Sequence, residues 1–260
     1  MDDARQGELG RKVIFLSPRP PIAQELIGVV GREQYEVYEV HDPERLLAVL
    51  ELPEFRDAVL FADIDTGLRP WEWEIYIGRL RQSAATRGVY VGVLSDKTDP
   101  AVMNRYLMEF GVQGGFIHPG APAEMARHVL DALEAAGARG QRRYVRVSCA
   151  TAGATVSVRV DTHRHGGVLR DLSVAGMACV LDRDPGIGPR TRLDEIEIRL
   201  GQRAVVLDGT VAGIRQENAL RIHAVLFGPT GERGEELAEL LRDIRQINMA
   251  RLLQSVGRAG

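Results

Sequence analysis

Gln141-Arg142-Arg143-Tyr144-Val145-Arg146 and Asp171-Leu172-Ser173-Val174-Ala175-Gly176 are the two stretches on which the reading of this chain turns. The first has the form RxxxR and the second DxSxxG, and Asp171 follows Arg146 by 25 residues of strand-like sequence. A guanidinium clamps a phosphate bidentately, stacks on a purine face or bonds a guanine O6/N7 edge; an ammonium does only the first of these well. The second cluster has the opposite polarity. Asp171 accepts from ring N–H and exocyclic amine groups, Ser173 reaches a base edge or a phosphate, and Gly176 admits backbone where a Cβ would intrude. Donors and acceptors for both parts of a nucleotide thus stand close together in the chain.

Each cluster alone has an ordinary explanation. Arg outnumbers Lys 31 to 2, so arginine-rich turns are common here, and Asp-x-Ser followed by Gly is frequent turn chemistry. The order of the two clusters, with strand-like Gly166–Arg170 and Met177–Leu181 around the second, favours a ligand. Together they resemble the paired signature of PilZ domains, the bacterial receptors for cyclic di-GMP. Matched residue by residue, the resemblance implies ligand contacts from Arg142 and Arg146 and from Asp171, Ser173 and Gly176, with Arg143 and Arg170 as adjacent additions. It implies cyclic di-GMP as the ligand, with no cofactor and no metal.

Working outward, residues 139–260 supply strand candidates at Val145 to Cys149, Thr155 to Val160, Val168 to Leu172, Met177 to Leu181, Glu195 to Leu200, Ala204 to Ile214 and Ala219 to Phe227. Turn signals such as Asp184-Pro185-Gly186 and Glu217-Asn218 separate them, which makes a small antiparallel barrel. A helix is expected from about Glu232 to Ser255, with Leu237, Leu240, Leu241 and Ile244 on one face. This stripe caps the open end of the barrel; the alternative is that Met249, Leu252 and Leu253 pair with a second copy in a homodimer.

Residues 1–138 read differently. Apolar runs at Lys12 to Leu16, Tyr35 to Val40, Ala58 to Ala62, Val89 to Leu94 and Gly114 to Ile117 alternate with helical stretches at 22–31, 43–51, 71–83, 99–109 and 122–136. Five such units make a doubly wound parallel sheet. The fold class is therefore α/β plus β: a five-stranded parallel sheet, then an antiparallel barrel with a C-terminal helix. The pattern of the first domain resembles the receiver domain of bacterial two-component systems. That family needs an acidic pair after the first strand for Mg²⁺ and a lysine ending the fifth. Here those stretches are Ser17-Pro18-Arg19-Pro20 and His118-Pro119, while Asp63 or Asp65 stands near the phospho-acceptor position and Ser95 matches. Phosphorylation lacks its electrostatic support, and the domain reads as a degenerate receiver that contacts a protein partner.

Charge divides along the same line. Residues 1–138 hold 14 Lys+Arg and 22 Asp+Glu, a net of −8, and residues 139–260 hold 19 and 14, a net of +5. The positive half carries the anion-binding motif. The polar start Met1-Asp2-Asp3-Ala4-Arg5 and the lack of a long apolar run point to a cytoplasmic protein outside the membrane. Cys149 and Cys179 lack metal or redox spacing, and His163 and His165 fall in a polar turn. No catalytic constellation and no nucleic-acid partner is expected: the chain is not an enzyme but a reader of cyclic di-GMP. The competing readings are a phosphorylation-controlled response regulator with a barrel output and a ligand-independent adaptor. Ligand binding at the domain junction is expected to reorient the domains about Ala136 to Gly140, where two glycines make a mobile hinge.

Overall fold

The computed structural model describes residues 10–118, 120–231 and 233–257. The polar stretch Met1 to Arg5, Pro119 and the expected helix start at Glu232 lie outside the described residues. By its contacts the chain divides into two compact units, one running to Arg143 and taking in the residues from Met249 on, the other Tyr144–Asn248. The division thus falls five residues after the expected boundary at 138 and assigns the end of the last helix to the first unit.

In the first unit β1 (Lys12–Leu16), β2 (Glu36–Val40), β3 (Val59–Asp63), β4 (Tyr90–Leu94) and β5 (Phe116–Ile117) form one parallel sheet in the order β2-β1-β3-β4-β5. This is the flavodoxin-like order, which leaves the carboxyl ends of β1, β3 and β4 beside the topological switch. The inner strands β1, β3 and β4 are largely apolar because both faces are covered, while the edge strand β2 carries Glu36 and Glu39. Val13 and Phe15 point into a core with Leu26, Val30, Val129 and Leu133; Ile14 and Leu16 point the other way, into a core with Leu46, Leu50, Trp73, Ile77 and Leu80. Five helices make these layers: α1 (Pro20–Arg32), α2 (Pro43–Leu50), α3 (Pro70–Gln82), α4 (Pro100–Asn104) with a π turn over Arg105–Glu109, and α5 (Pro122–Ala135). Each begins on proline, whose missing N–H costs nothing at the first helical position. Asp42 and Asp99 add side-chain caps to Arg45 N–H and Ala101 N–H at 3.0 and 2.9 Å.

The second unit contains β6 (Val147–Ser148), β7 (Thr155–Val160), β8 (His163–Ser173), β9 (Gly176–Leu181), β10 (Arg192–Leu200), β11 (Arg203–Glu217) and β12 (Leu220–Phe227). Antiparallel pairing runs β8-β7-β10-β11-β12-β9 and returns from β9 to β8, so six strands close a barrel and β6 continues one edge of β8. Closure removes the exposed edges that a sheet of this size would otherwise carry. Val156, Val158, Leu169, Leu172, Met177, Ile196, Ile198, Leu207 and Val225 fill the interior.

Three local expectations are corrected. His163 and His165 are not in a turn but on β8, opposite Val160 and Val158; the turn is Asp161-Thr162, with Asp161 at φ +53°. The β11–β12 turn is Asn218-Ala219, both left-handed at φ +48° and +67°, a turn that the alanine hides from composition. The last helix, α6 (Arg233–Val256), splits its apolar residues. Leu237, Leu240, Leu241 and Ile244 join the barrel core as expected, while Met249, Leu252, Leu253 and Val256 pack with the first unit's core, so that face is occupied within the chain. Among the described residues no helix is long and apolar enough to cross a membrane.

Candidate functional site

The barrel brings Arg146 and Asp171 onto one face. β6 pairs with β8 through Val147↔Leu172 and Ser148↔Asp171. Val147 and Leu172 lie in the barrel core, so the alternation of a strand turns Ser148, Asp171 and the preceding Arg146 outward. The pairing continues outward from Asp171 to Ala178 on β9, from Ala178 to Ala224 on β12, and from Ala224 to Gly213 on β11. A row of small residues thus runs across the barrel wall beside one carboxylate. A planar base can lie on such a row, with its hydrogen-bonding edge toward Asp171. Bulges in β8 between Leu169 and Asp171, and in β11 between Val211 and Gly213, bring those residues into the row.

Several arginines of the barrel are ion-paired. On the barrel surface Arg159 and Arg164 hold Glu195, Arg199 donates from Nε to Glu197 at 3.1 Å, Arg203 holds Glu239 at 2.6 Å, and Arg221 holds Asp184. Arg142, Arg146 and Arg170 are exposed and make no ion pair among the described residues. Arg183, Arg190 and Arg242 likewise make no ion pair among the described residues, so what sets Arg146 apart is its place beside Asp171 on one face of the barrel. Arg142 and Arg143 stand immediately before Tyr144, where the barrel unit begins, and both are exposed.

Ser173 and Gly176, expected from the sequence to contact a ligand, take part in the β8–β9 hairpin. Ser173 is buried; its hydroxyl donates to Gly176 O at 3.1 Å and accepts from Ala175 N–H at 3.3 Å, closing the β8–β9 hairpin. A Cβ on Gly176 would stand 2.3 Å from Val225 O, so the backbone approaching there is strand β12. Both residues shape the turn that follows Asp171. Two residues absent from the sequence reading hold the other side: Asn248 of α6 donates through Nδ2 to Ser148 O at 2.8 Å, and its Oδ1 accepts from the Thr151 hydroxyl at 2.6 Å. A polar residue in an apolar stripe was the only signal available for Asn248.

The thiols are structural. Cys149 and Cys179 are buried and free. Burial pushes both up to about 12, and the Asp171 carboxylate adds to the effect at Cys149.

The expected hinge is also resolved locally. Gly137, at φ +59°, terminates α5: its N–H donates to Glu134 O at 2.9 Å and Ala138 N–H donates to Leu133 O at 2.9 Å, the paired bonds of a Schellman cap. Arg11 N–H then donates to Ala138 O at 2.9 Å, Arg11 Nη1 to Ala136 O at 2.7 Å, and Arg139 pairs with Glu33 at 3.3 Å. The stretch is thus held to the first unit by the helix cap and by these separate bonds to Arg11 and Glu33.

At the carboxyl edge of the parallel sheet, a second polar cluster forms around Asp63, whose side chain is fully buried. Arg19 donates to Asp63 Oδ2 from its backbone N–H at 3.2 Å and from Nε at 2.9 Å, lies 3.5 Å from Asp65 and contacts Asp96. Lys97 lies 3.5 Å from Asp65, and the Ser95 hydroxyl donates to Asp65 Oδ1 at 2.9 Å. Burial lowers the Arg19 pKa, but the bonds to Asp63 and Asp96 outweigh it and raise the net value. Two cations from within the chain compensate three carboxylates. Arg19, read from sequence only as part of a stretch lacking acids, is the centre of this cluster.

No protein-family model matches the sequence, and no curated protein matches it. Among solved structures the chain is similar to the PilZ domain with c-di-GMP of YcgR from Escherichia coli, at 19% identity and TM-score 0.36, over 46% of this chain and 97% of that one. It is similar to the K. pneumonia MrkH–c-di-GMP complex at 14% identity and TM-score 0.38, over 44% and 56%. The chemotaxis response regulator CheY4 of Vibrio cholerae matches at 19% identity and TM-score 0.40, over 49% and 98%.

Proposed function

We propose that this protein is a receptor for cyclic di-GMP that acts by binding and not by catalysis. The observation that carries the reading is the outward row Ser148, Asp171, Ala178, Ala224 and Gly213, flanked by an Arg146 that has no ionic partner among the described residues. In this reading Asp171 accepts from a guanine N1–H and exocyclic amine, while Arg146 and Arg142 clamp phosphate or stack on a base. Arg143 and Arg170 contribute positive potential. Ser173 and Gly176 act indirectly, by fixing the hairpin that presents Asp171.

Regulation by phosphorylation is the weaker reading, because Arg19 and Lys97 already neutralise the carboxylates at which a Mg²⁺-assisted transfer would occur. Isothermal titration with cyclic di-GMP and cyclic di-AMP tests the proposal. Saturable heat with cyclic di-GMP and weaker heat with the adenine analogue are expected. No binding of either would leave the ligand-independent adaptor.

A further inference from the structure

Inside the barrel one polar side chain is left without partners. His223 stands on β12 opposite Cys179 of β9 and Ile214 of β11. Cys179 and Val225, two residues further along β12, belong to the barrel core, so the alternation of a strand turns the imidazole inward, next to the outward Ala224. Of the six histidines only His223 is buried, at 2% exposure. Neither of its ring nitrogens has a hydrogen-bond partner among the described residues. An apolar side chain of similar size would avoid the cost of two unpaired polar atoms, so a histidine at this place calls for an explanation.

The groups around the ring set its charge. On β9 Cys179 is a neutral thiol, pushed up to about 12 by burial, and on β11 Ile214 is apolar. Arg221 is the cation on its own strand, and Asp184, in the loop over 182–191 between β9 and β10, is the carboxylate. Burial lowers the His223 pKa below the ordinary histidine value, Arg221 adds to the shift, and Asp184 opposes it. The imidazole is therefore neutral at pH 7.

The same two charged groups tie that loop to the barrel. Arg221 pairs with Asp184 and donates from Nη2 to Ile187 O at 3.4 Å. Ile187 itself is buried in the barrel core. Within the loop Asp184 Oδ1 accepts from Gly186 N–H at 2.9 Å, and at its far end Arg190 N–H donates to Val211 O at 2.7 Å. Both side chains of the Arg221–Asp184 pair are exposed. Such a pair contributes little by itself and yields to a competing cation.

We infer that His223 is an acid-sensitive latch for the loop over 182–191. A protonated ring stands beside Arg221 in an apolar interior, where desolvation and like charge both oppose it. Asp184 turns to the imidazolium, Arg221 releases both Asp184 and Ile187 O, and Ile187 leaves the core. The direction follows from linkage. An unfolded chain takes up this proton near pH 6.5 and the folded barrel only at lower pH, so the barrel is at full stability above about pH 6.5 and loses stability as the pH falls below it. The latch belongs to the barrel itself and does not depend on cyclic di-GMP being the ligand.

The test is amide hydrogen exchange of the full chain at about pH 7.5 and about pH 5, corrected for intrinsic rates and read on peptides of the loop and of β10 to β12, with a parallel NMR titration of the histidine rings. In the parent the loop should exchange at least about fivefold faster at the lower pH, and the most protected barrel amides up to about thirtyfold faster, the limit set by one proton taken up in the unfolded chain alone. His223→Leu should remove most of both changes, and Asp184→Asn should leave the loop fast at both pH values. The parental titration needs no variant: one of the six rings should titrate below about 6.5. An acid response in His223→Leu equal to the parent's overturns the inference. So does a parental loop that stays protected at the lower pH, or six rings that all titrate at or above the ordinary value.

Discussion

The two polar clusters of this protein are built from the same residue types and settle their charges in opposite ways. At the carboxyl edge of the parallel sheet, Asp63, Asp65 and Asp96 face Arg19 and Lys97, and the guanidinium lies where it satisfies a fully buried carboxylate. On the barrel wall Asp171 is partly exposed on an outward row, and Arg146 beside it has no ionic partner among the described residues. One cluster is complete within the chain. The other has donors and acceptors left over, and a site for a charged, edge-rich ligand needs that surplus. Arginine content alone therefore says little about function; what marks this face is a guanidinium without an ionic partner among the described residues standing beside a carboxylate on an outward row.

The largest effect expected from this contrast is on stability. Arg19→Met leaves the buried Asp63 carboxylate without its cation, and breaking a buried pair from one side costs about 3 kcal/mol or more. The only two tryptophans, Trp71 and Trp73, both lie in the first unit, so urea denaturation followed by tryptophan fluorescence reads that unit selectively. Adding Asp63→Asn should recover part of the loss, because a neutral amide needs no counter-ion. If the two substitutions simply add, Arg19 acts through packing, and the pocket is not closed by charge. The same compensation predicts no stoichiometric adduct by intact-mass spectrometry after incubation with acetyl phosphate and Mg²⁺.

Removing a cation from the open cluster should do the reverse, costing affinity and leaving stability alone. Charge-assisted bonds are worth about 1.5–3 kcal/mol, so Arg146→Ala and Arg142→Ala should each weaken cyclic di-GMP binding by about tenfold to a hundredfold or more. Binding should also weaken with added salt, since these guanidiniums are exposed, whereas the stability supplied by Arg19 should respond less. Parental affinity in Arg146→Ala would remove the site from the barrel wall.

Much of this was legible in the sequence. The parallel sheet follows from apolar runs with helical intervals, and the barrel from short strands between turn residues. Legibility ended where meaning depends on register. Nothing local in Ala178, Ala224 or Gly213 marks them as neighbours; only the pairing of β8, β9, β12 and β11 aligns them. Gly137 reads from the sequence as a hinge glycine, and its part in capping α5 shows only in the bond from Ala138 N–H to Leu133 O. Arg19 is remote in sequence from Asp63 and meets it only through the sheet. Ser173 and Gly176 stand out in the sequence, and only the structure shows the bonds they contribute to the hairpin.

That last point separates the residues of the DxSxxG motif. Asp171→Ala should lower cyclic di-GMP affinity and narrow its preference over cyclic di-AMP, because the lost acceptor is the one that distinguishes guanine's N1–H and N2–H₂ donors. Ser173→Ala should mainly cost stability, about 1 kcal/mol for its two bonds inside the hairpin, with the ligand preference retained. A Ser173→Ala protein that is fully stable yet loses selectivity would return the serine to the ligand.

The smallest expected effect tests whether the barrel wall is positioned from behind. Asn248 donates to Ser148 O and accepts from Thr151, so it fixes the two-residue strand β6, next to Arg146. Asn248→Ala removes both bonds while leaving every proposed ligand contact in place. The cost to affinity should be severalfold, since β6 is only two residues long and is held from the barrel side by its two register pairs, the bond from Cys149 N–H to Arg170 O and the burial of Val147. A purely structural role would lower stability without depending on Arg146. A positioning role makes a sharper demand: in an Arg146→Ala background, Asn248→Ala should cost no further affinity, because there is no longer a guanidinium to aim. Additive losses in that double variant would mean that Asn248 supports the barrel as a whole, and that Arg146 finds its ligand without help from the helix.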